Sequence, residues 1–191
     1  MTCRLLARMR RPNKDGPREP REGTVTENPT LPMIERRRIE AEILKEVYDT
    51  LKESHGVDTA KATIAEAVRR SSIAQARGFA AKAREAGGTS MASFLALRPL
   101  WRMNGALEVD VIEESDDKLA YNVTRCRYAE MYKSMGLGEI GHLLSCQRDG
   151  TFCQGYDERL ELTRTQTIMQ GASHCDFRYR WRDDAEGDKG V

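Results

Sequence analysis

Along most of the chain the apolar residues recur with one of two periods, and the change of period divides it in half. From Pro32 to His55, Ile39, Ile43, Val47 and Leu51 return every fourth residue, with Leu44 and Tyr48 on the same broad face. This spacing predicts an amphipathic helix with that face on the core, stopped by Gly56. Asp58 or Thr59 can cap a second helix, carrying Ile64, Val68, Phe79 and several alanines to about Ala86, before Gly87-Gly88 ends it. Thr89-Ser90 opens a third, short helix from Met91 to about Leu97, limited by Pro99.

The second half turns to alternation. Leu107, Val109 and Val111 alternate with Glu108 and Asp110; beyond the turn-like ESDD, Leu119, Tyr121 and Val123 alternate with Ala120, Asn122 and Thr124. Two such runs predict a hairpin. The helical period returns at Cys126 with Tyr128, Met131 and Tyr132, and continues with Leu137, Ile140, Leu143 and Leu144 past a break at Gly136. Gly150 to Asp157 reads as a glycine-bearing loop. In RLELTRTQTIMQG, Leu160, Leu162 and Arg164 share one face of a strand, while Cys175, Phe177, Tyr179 and Trp181 share one face of the last. The expected fold class is α+β: N-terminal helices, then a mainly antiparallel sheet of about four strands covered by helices.

Composition sets the limits. Residues 1–30 are rich in Pro, Gly, Arg and Glu and read as a disordered basic extension, with Met33 a candidate functional start; 31–183 is expected to be one α+β domain and 184–191 a flexible tail. Lys and Arg number 31 against 30 Asp and Glu, so the total charge gives no footprint for nucleic acid. No apolar run reaches the length of a membrane span or a secretory h-region. Five cysteines, an odd count, argue against a closed disulfide framework, and a cytoplasmic protein with reduced thiols is the expectation. The partner expected is a small-molecule substrate, with neither nucleic acid nor membrane, and the N-terminal helices are the surface for any homo-oligomer.

Gly136, Gly138 and Gly141 spell GxGxxG, but a helix rather than a strand precedes them, so no dinucleotide site, and no cofactor, is expected. The cysteines carry more information. Cys126 lies where a strand hands over to a helix, whose positive end favours thiolate. Cys146 follows His142 by four residues on one helical face, with Asp149 just beyond, and Cys175 begins the inward face of the last strand. Each alone is ordinary core; together they are candidates for one pocket. The nearest cysteine pair, Cys146 and Cys153, is spaced too widely for a structural zinc site, and no metal is expected. Arg164 on an apolar face needs a partner: either Asp149, or the carboxylate of a substrate held by its planar fork.

The stretch from CRYAEMYKSMGLGEIGHLLSCQRD through LELTRTQTIMQGASHCDFRY resembles the L-2-amino-thiazoline-4-carboxylic acid hydrolase family. The matching pieces are Cys126 with Tyr128-Ala129-Glu130, Gly136 with Glu139-Ile140-Gly141, Cys146 with Asp149, Arg164-Thr165 with Thr167, Gly171, and Cys175-Asp176-Phe177; together they cover about residues 120–180. The resemblance implies opening of a small carboxylated cyclic amidine to N-carbamoyl-cysteine. In that reading Cys126, Cys146, Cys175 and Asp149 are the catalytic candidates, Cys126 foremost as nucleophile, and Arg164, Thr165, His142 and Asp176 contact substrate. The alternative is a non-catalytic small-molecule binding or sensor domain with a Cys- and Arg-lined pocket.

Overall fold

The computed structural model describes residues 31–182; the expectations for 1–30 and 184–191 lie outside the described residues. Two long helices, α1 (Met33–His55) and α2 (Val57–Glu85), turn back on one another at Gly56, whose φ of 82° is open to glycine. Their short connection leaves α2 without a side-chain cap, so Asp58 sits in its first turn instead. The inward stripe of α2 is Ala60, Ile64, Val68, Ser72, Ala76 and Ala80.

On α1 the buried face differs from the one expected. Ile39, Ile43 and Val47 are 48%, 69% and 40% exposed, whereas Ile34, Arg37, Ala41 and Tyr48 are buried and Leu44 and Leu51 partly so. A strict four-residue step drifts about 40° per turn around a helix, while the mixed three-and-four spacing of the buried set holds one side. An arginine and an alanine occupy that set, and counting aliphatic residues alone passed over it.

A short α3 (Met91–Leu95) starts from the reciprocal Ser90–Ser93 cap, and Pro99 sits in the first turn of a further short helix, α4 (Arg98–Arg102), instead of simply ending the one before. Then follow β1 (Leu107–Glu114), β2 (Lys118–Cys126), α5 (Arg127–Ser134), a π-helical turn (His142–Cys146), α6 (Gln147–Tyr156), β3 (Leu160–Thr163), a 3-10 turn (Ile168–Gln170) and β4 (Cys175–Trp181). The strands form one antiparallel sheet in the order β1-β2-β4-β3, so the fold is α+β. In the central pair Val123 faces Cys175, Tyr121 faces Phe177 and Leu119 faces Tyr179.

The expected loop at 150–157 is helical. A Cβ at Gly155 would stand 2.6 Å from the Ile73 carbonyl oxygen and 2.9 Å from the Ala76 Cβ, so the glycine lets α6 lie against α2. That contact, with Phe152 and Tyr156 buried on the same helix, outweighs the weak helix propensity of two glycines. Two of the GxGxxG glycines are likewise structural. Gly136 ends α5 at φ 74°, and a Cβ at Gly141 would meet the Met169 Sδ at 2.5 Å. The third strand stops at Thr163, before Arg164, because the next amides are taken by a side chain of β4.

Two apolar clusters result. One joins α1, α2 and α5 around Ile64, Tyr132 and Ile140; the other joins the sheet to α2, α3 and α6 around Leu119, Phe94 and Phe152. Cys126 packs against both.

Candidate active site

Among the residues that meet where the two clusters adjoin, a cavity remains with about 110 Å³ open to a water molecule. Seven of its lining residues are aromatic, Phe94, Trp101, Tyr121, Tyr128, Phe152, Phe177 and Tyr179, and four are arginines. Cys126, Cys146, Cys175, Asp149 and Arg164 all line it, brought together from β2, the π-helical turn, β4, α6 and the segment after β3. His142, Thr165 and Asp176 are not part of the lining.

Helix-end placement suggested a thiolate at Cys126 alone, and two effects act on that thiol in opposite directions. Cys126 is the residue before α5, in extended backbone, and the amides of Tyr128 and Ala129 do favour its charged form. Burial is the larger effect and pushes it up to about 11. Burial and the Asp149 charge push Cys146 up to about 12. Burial also raises Cys175, whose sulfur accepts the Ile168 N–H at 3.2 Å. All three are protonated at neutral pH.

Asp149 stands in the first turn of α6. Arg164 donates Nη1 to its Oδ2 at 2.5 Å and Nη2 to the Cys146 carbonyl at 2.8 Å, with its guanidinium 4.9 Å above the Phe177 ring. The Arg164 side chain is 13% exposed and that of Asp149 35%, the latter on the cavity it lines. Burial raises the Asp149 carboxyl above its ordinary value, and Arg164 only partly opposes it. Burial works against the guanidinium too, but Asp149 outweighs it and keeps Arg164 firmly charged. Of the two readings of Arg164 open from sequence, the ion pair with Asp149 is made.

Thr165 and Asp176 hold each other. The Asp176 carboxylate accepts the amides of Thr165 (3.0 Å) and Gln166 (2.9 Å) and the Thr165 hydroxyl (2.7 Å). Burial tends to raise this carboxyl, but those donors outweigh it and hold it at about 2. Thr167 caps the 3-10 turn by accepting the Gln170 amide. The segment carrying Arg164 is thus tied to β4 at Asp176 and, through the Ile168 amide, at Cys175. His142, at the start of the π-helical turn, is lowered by burial and by Lys61.

The sequence model of the L-2-amino-thiazoline-4-carboxylic acid hydrolase family matches residues 36–179. The chain belongs to that family. The match runs well beyond the 120–180 stretch whose residues first suggested it, taking in both long helices. No curated protein matches the chain. Among solved structures, a trafficking protein particle complex subunit 3 from Naegleria fowleri, covalently bound to palmitic acid, is similar at 10% identity and TM-score 0.45, covering 78% of this chain and 96% of its own. The phenol-responsive sensory domain of the transcription activator PoxR, with phenol, is similar at 11% identity and TM-score 0.46, covering 80% of this chain and 76% of its own.

Within the family match, the scattered motif pieces turn out to be neighbours. Arg164 lines the cavity, Thr165 meets Asp176, and Cys175 lies between Asp176 and the Ile168 amide. Cys153, outside the motif, is buried in α6 and donates its S–H to the Asp149 carbonyl at 3.3 Å. Among the lining residues that escaped the sequence reading are two buried arginines, Arg37 and Arg148. Arg37 does stand at the spacing of the inward stripe of α1, and Arg148 lies midway between Leu144 and Phe152, each four residues away. Among the described residues no three His, Cys, Asp or Glu side chains are grouped to hold a metal ion, and no helix is long and apolar enough to cross a membrane.

Proposed function

We propose that this protein is a hydrolase that opens a small carboxylated ring at a C–S or C–N bond, of the kind its family name describes. The observation that carries this is the Asp149 carboxylate on the wall of the cavity, held by Arg164, with Cys126, Cys146 and Cys175 lining the same cavity. A carboxylate whose pKa is raised by burial is a stronger base than one in water, which suits it to take a proton from a water molecule.

For a 2-amino-thiazoline-4-carboxylate the steps balance as follows. Asp149 takes a proton from water while the oxygen adds to the amidine carbon. The C–S bond breaks, the oxygen becomes the carbonyl of a carbamoyl group, and the two water protons end on the ring nitrogen and the departing sulfur. A neutral thiol of Cys126 or Cys146 can relay that last proton, giving its own to the departing sulfur and taking back the one held by Asp149. Direct attack by a thiolate is disfavoured, because each thiol is held protonated.

The seven aromatic residues of the wall favour one second reading, a binding domain that holds an apolar ring without chemistry. Incubation of the purified chain with cyclic amidines, ureides and lactams, followed by mass spectrometry, separates the two. Loss of the ring supports the hydrolase; thermal stabilisation without turnover supports the binding domain.

A further inference from the structure

Arg164 spends its charge on Asp149 and also holds the Cys146 carbonyl and the Phe177 ring, so a substrate carboxylate is better served by another anchor. Two other arginines of the cavity wall are almost wholly buried, Arg37 at 6% and Arg148 at 8% exposure. Arg37 donates Nη1 to Glu40 Oε2 at 2.6 Å and Nη2 to Gln75 Oε1 at 2.7 Å. Arg148 donates Nε to the Leu144 carbonyl at 2.9 Å and Nη2 to the same Glu40 oxygen at 3.2 Å. Its Nη1 is buried and has no acceptor among the described residues.

The charges do not balance there. Arg164 and Asp149 neutralise one another, and Arg98 is answered by Glu114 at 2.6 Å. Arg37 and Arg148 share the single carboxylate of Glu40, leaving one positive charge over. Burial and the nearby Arg37 pull Arg148 down to about 10, so it is strained as a cation yet still charged at neutral pH. A buried guanidinium N–H without an acceptor is costly, and an anion is the partner that relieves both the missing bond and the surplus charge.

We propose that Arg148, with Arg37 beside it, is the subsite for the carboxylate of a small ring ligand, and that Arg164 is a positioning residue for Asp149. This rests on reading the cavity as the substrate site. The subsite selects ligands with a carboxylate on the ring over neutral rings of equal size, which an aromatic wall alone does not distinguish.

The test uses pyrrole-2-carboxylate, a five-membered ring with no bond to hydrolyse, against the neutral pyrrole-2-carboxamide, titrated calorimetrically into the full chain. The wild type is expected to prefer the carboxylate by about tenfold or more. Arg148→Lys, which keeps the charge and loses the fork, and Arg148→Met should both lose most of that preference, while Arg164→Lys keeps it. Unliganded Arg148→Met should melt no lower than wild type within a few degrees, since a strained charge has been removed; if it does not fold, Arg148→Lys carries the test. The subsite is overturned if wild type binds neither probe, shows no preference, or keeps its preference in both Arg148 variants. Ring opening is read separately: Arg148-dependent binding with no turnover removes the hydrolase and leaves the subsite. Turnover untouched by Arg148→Lys does the reverse.

Discussion

Asp176 grips Thr165 twice, through its amide at 3.0 Å and its hydroxyl at 2.7 Å, one residue from the arginine that orients Asp149. A contact outside the cavity lining is thus one residue from a bond within it. The bond pattern explains why the matched pieces RT-x-T and CDF, distant in the sequence, occur together: each is half of one clasp.

Replacing Asp176 by Ala should loosen that clasp. Loss of an acceptor for two backbone amides and a hydroxyl is expected to cost about 1–2 kcal/mol of stability and to reduce turnover with little change in KM. The folded carboxyl is depressed to about 2 against about 3.9 in the unfolded chain, so its stabilisation is complete above the unfolded value and is lost as pH falls toward 2. Urea unfolding at pH 5 and pH 3 measures it; the gap between wild type and variant should narrow at the lower pH, and an equal gap at both would contradict the assignment.

The thiols should react slowly. With Cys126 raised to about 11 and Cys146 to about 12, iodoacetamide labelling at pH 8 is expected to lag behind a free thiol of about 8.5. The unfolded chain releases these protons before the folded one does. The fold thus carries no penalty below about pH 8.5 and loses stability as pH climbs from there through the raised values. Fast labelling of Cys126 near pH 7 would restore the thiolate nucleophile.

Asp149→Asn should lower turnover by about 10²–10⁴-fold while the protein remains folded. Because burial raises this carboxyl, the acid limb of the wild-type kcat/KM profile should fall at a pH above the ordinary carboxylate value. A flat profile through pH 4 to 7 would exclude Asp149 as the base.

The two tight glycines should differ in what they tolerate. Gly155→Ala drives a methyl group into the Ile73 carbonyl and should destabilise by about 1–3 kcal/mol, whereas at Gly141 the obstacle is the flexible end of Met169, and Gly141→Ala should cost about 1 kcal/mol or less. Chemical denaturation of both variants checks the order.

The alternation of Leu119, Tyr121 and Val123 and of Cys175, Phe177 and Tyr179 makes the central strands readable, because the large apolar side chains repeat on one face even where the other buries a small Ala120. The helix α6 is hard to read because Gly150 and Gly155 mimic a loop; the approach of α2 explains Gly155, while nothing stands within 4 Å of a Cβ at Gly150. The inward face of α1 was missed because it includes Arg37, whose burial depends on Glu40 and on Gln75 of α2. At the site, Cys126, Cys146 and Cys175 line one cavity, and element ends carry no signal for the upward push that burial gives each thiol. That depends on how much protein closes over each sulfur, which no spacing encodes.

The central claim is tested most directly by incubating the chain with 2-amino-thiazoline-4-carboxylate in ¹⁸O-labelled water and following the product by mass spectrometry. The expected result is a ring-opened product that has gained one water and carries one heavy oxygen, formed by wild type and nearly abolished in Asp149→Asn. An intact ring after prolonged incubation with well-folded wild type, or undiminished ring opening by the Asp149 variant, would contradict it.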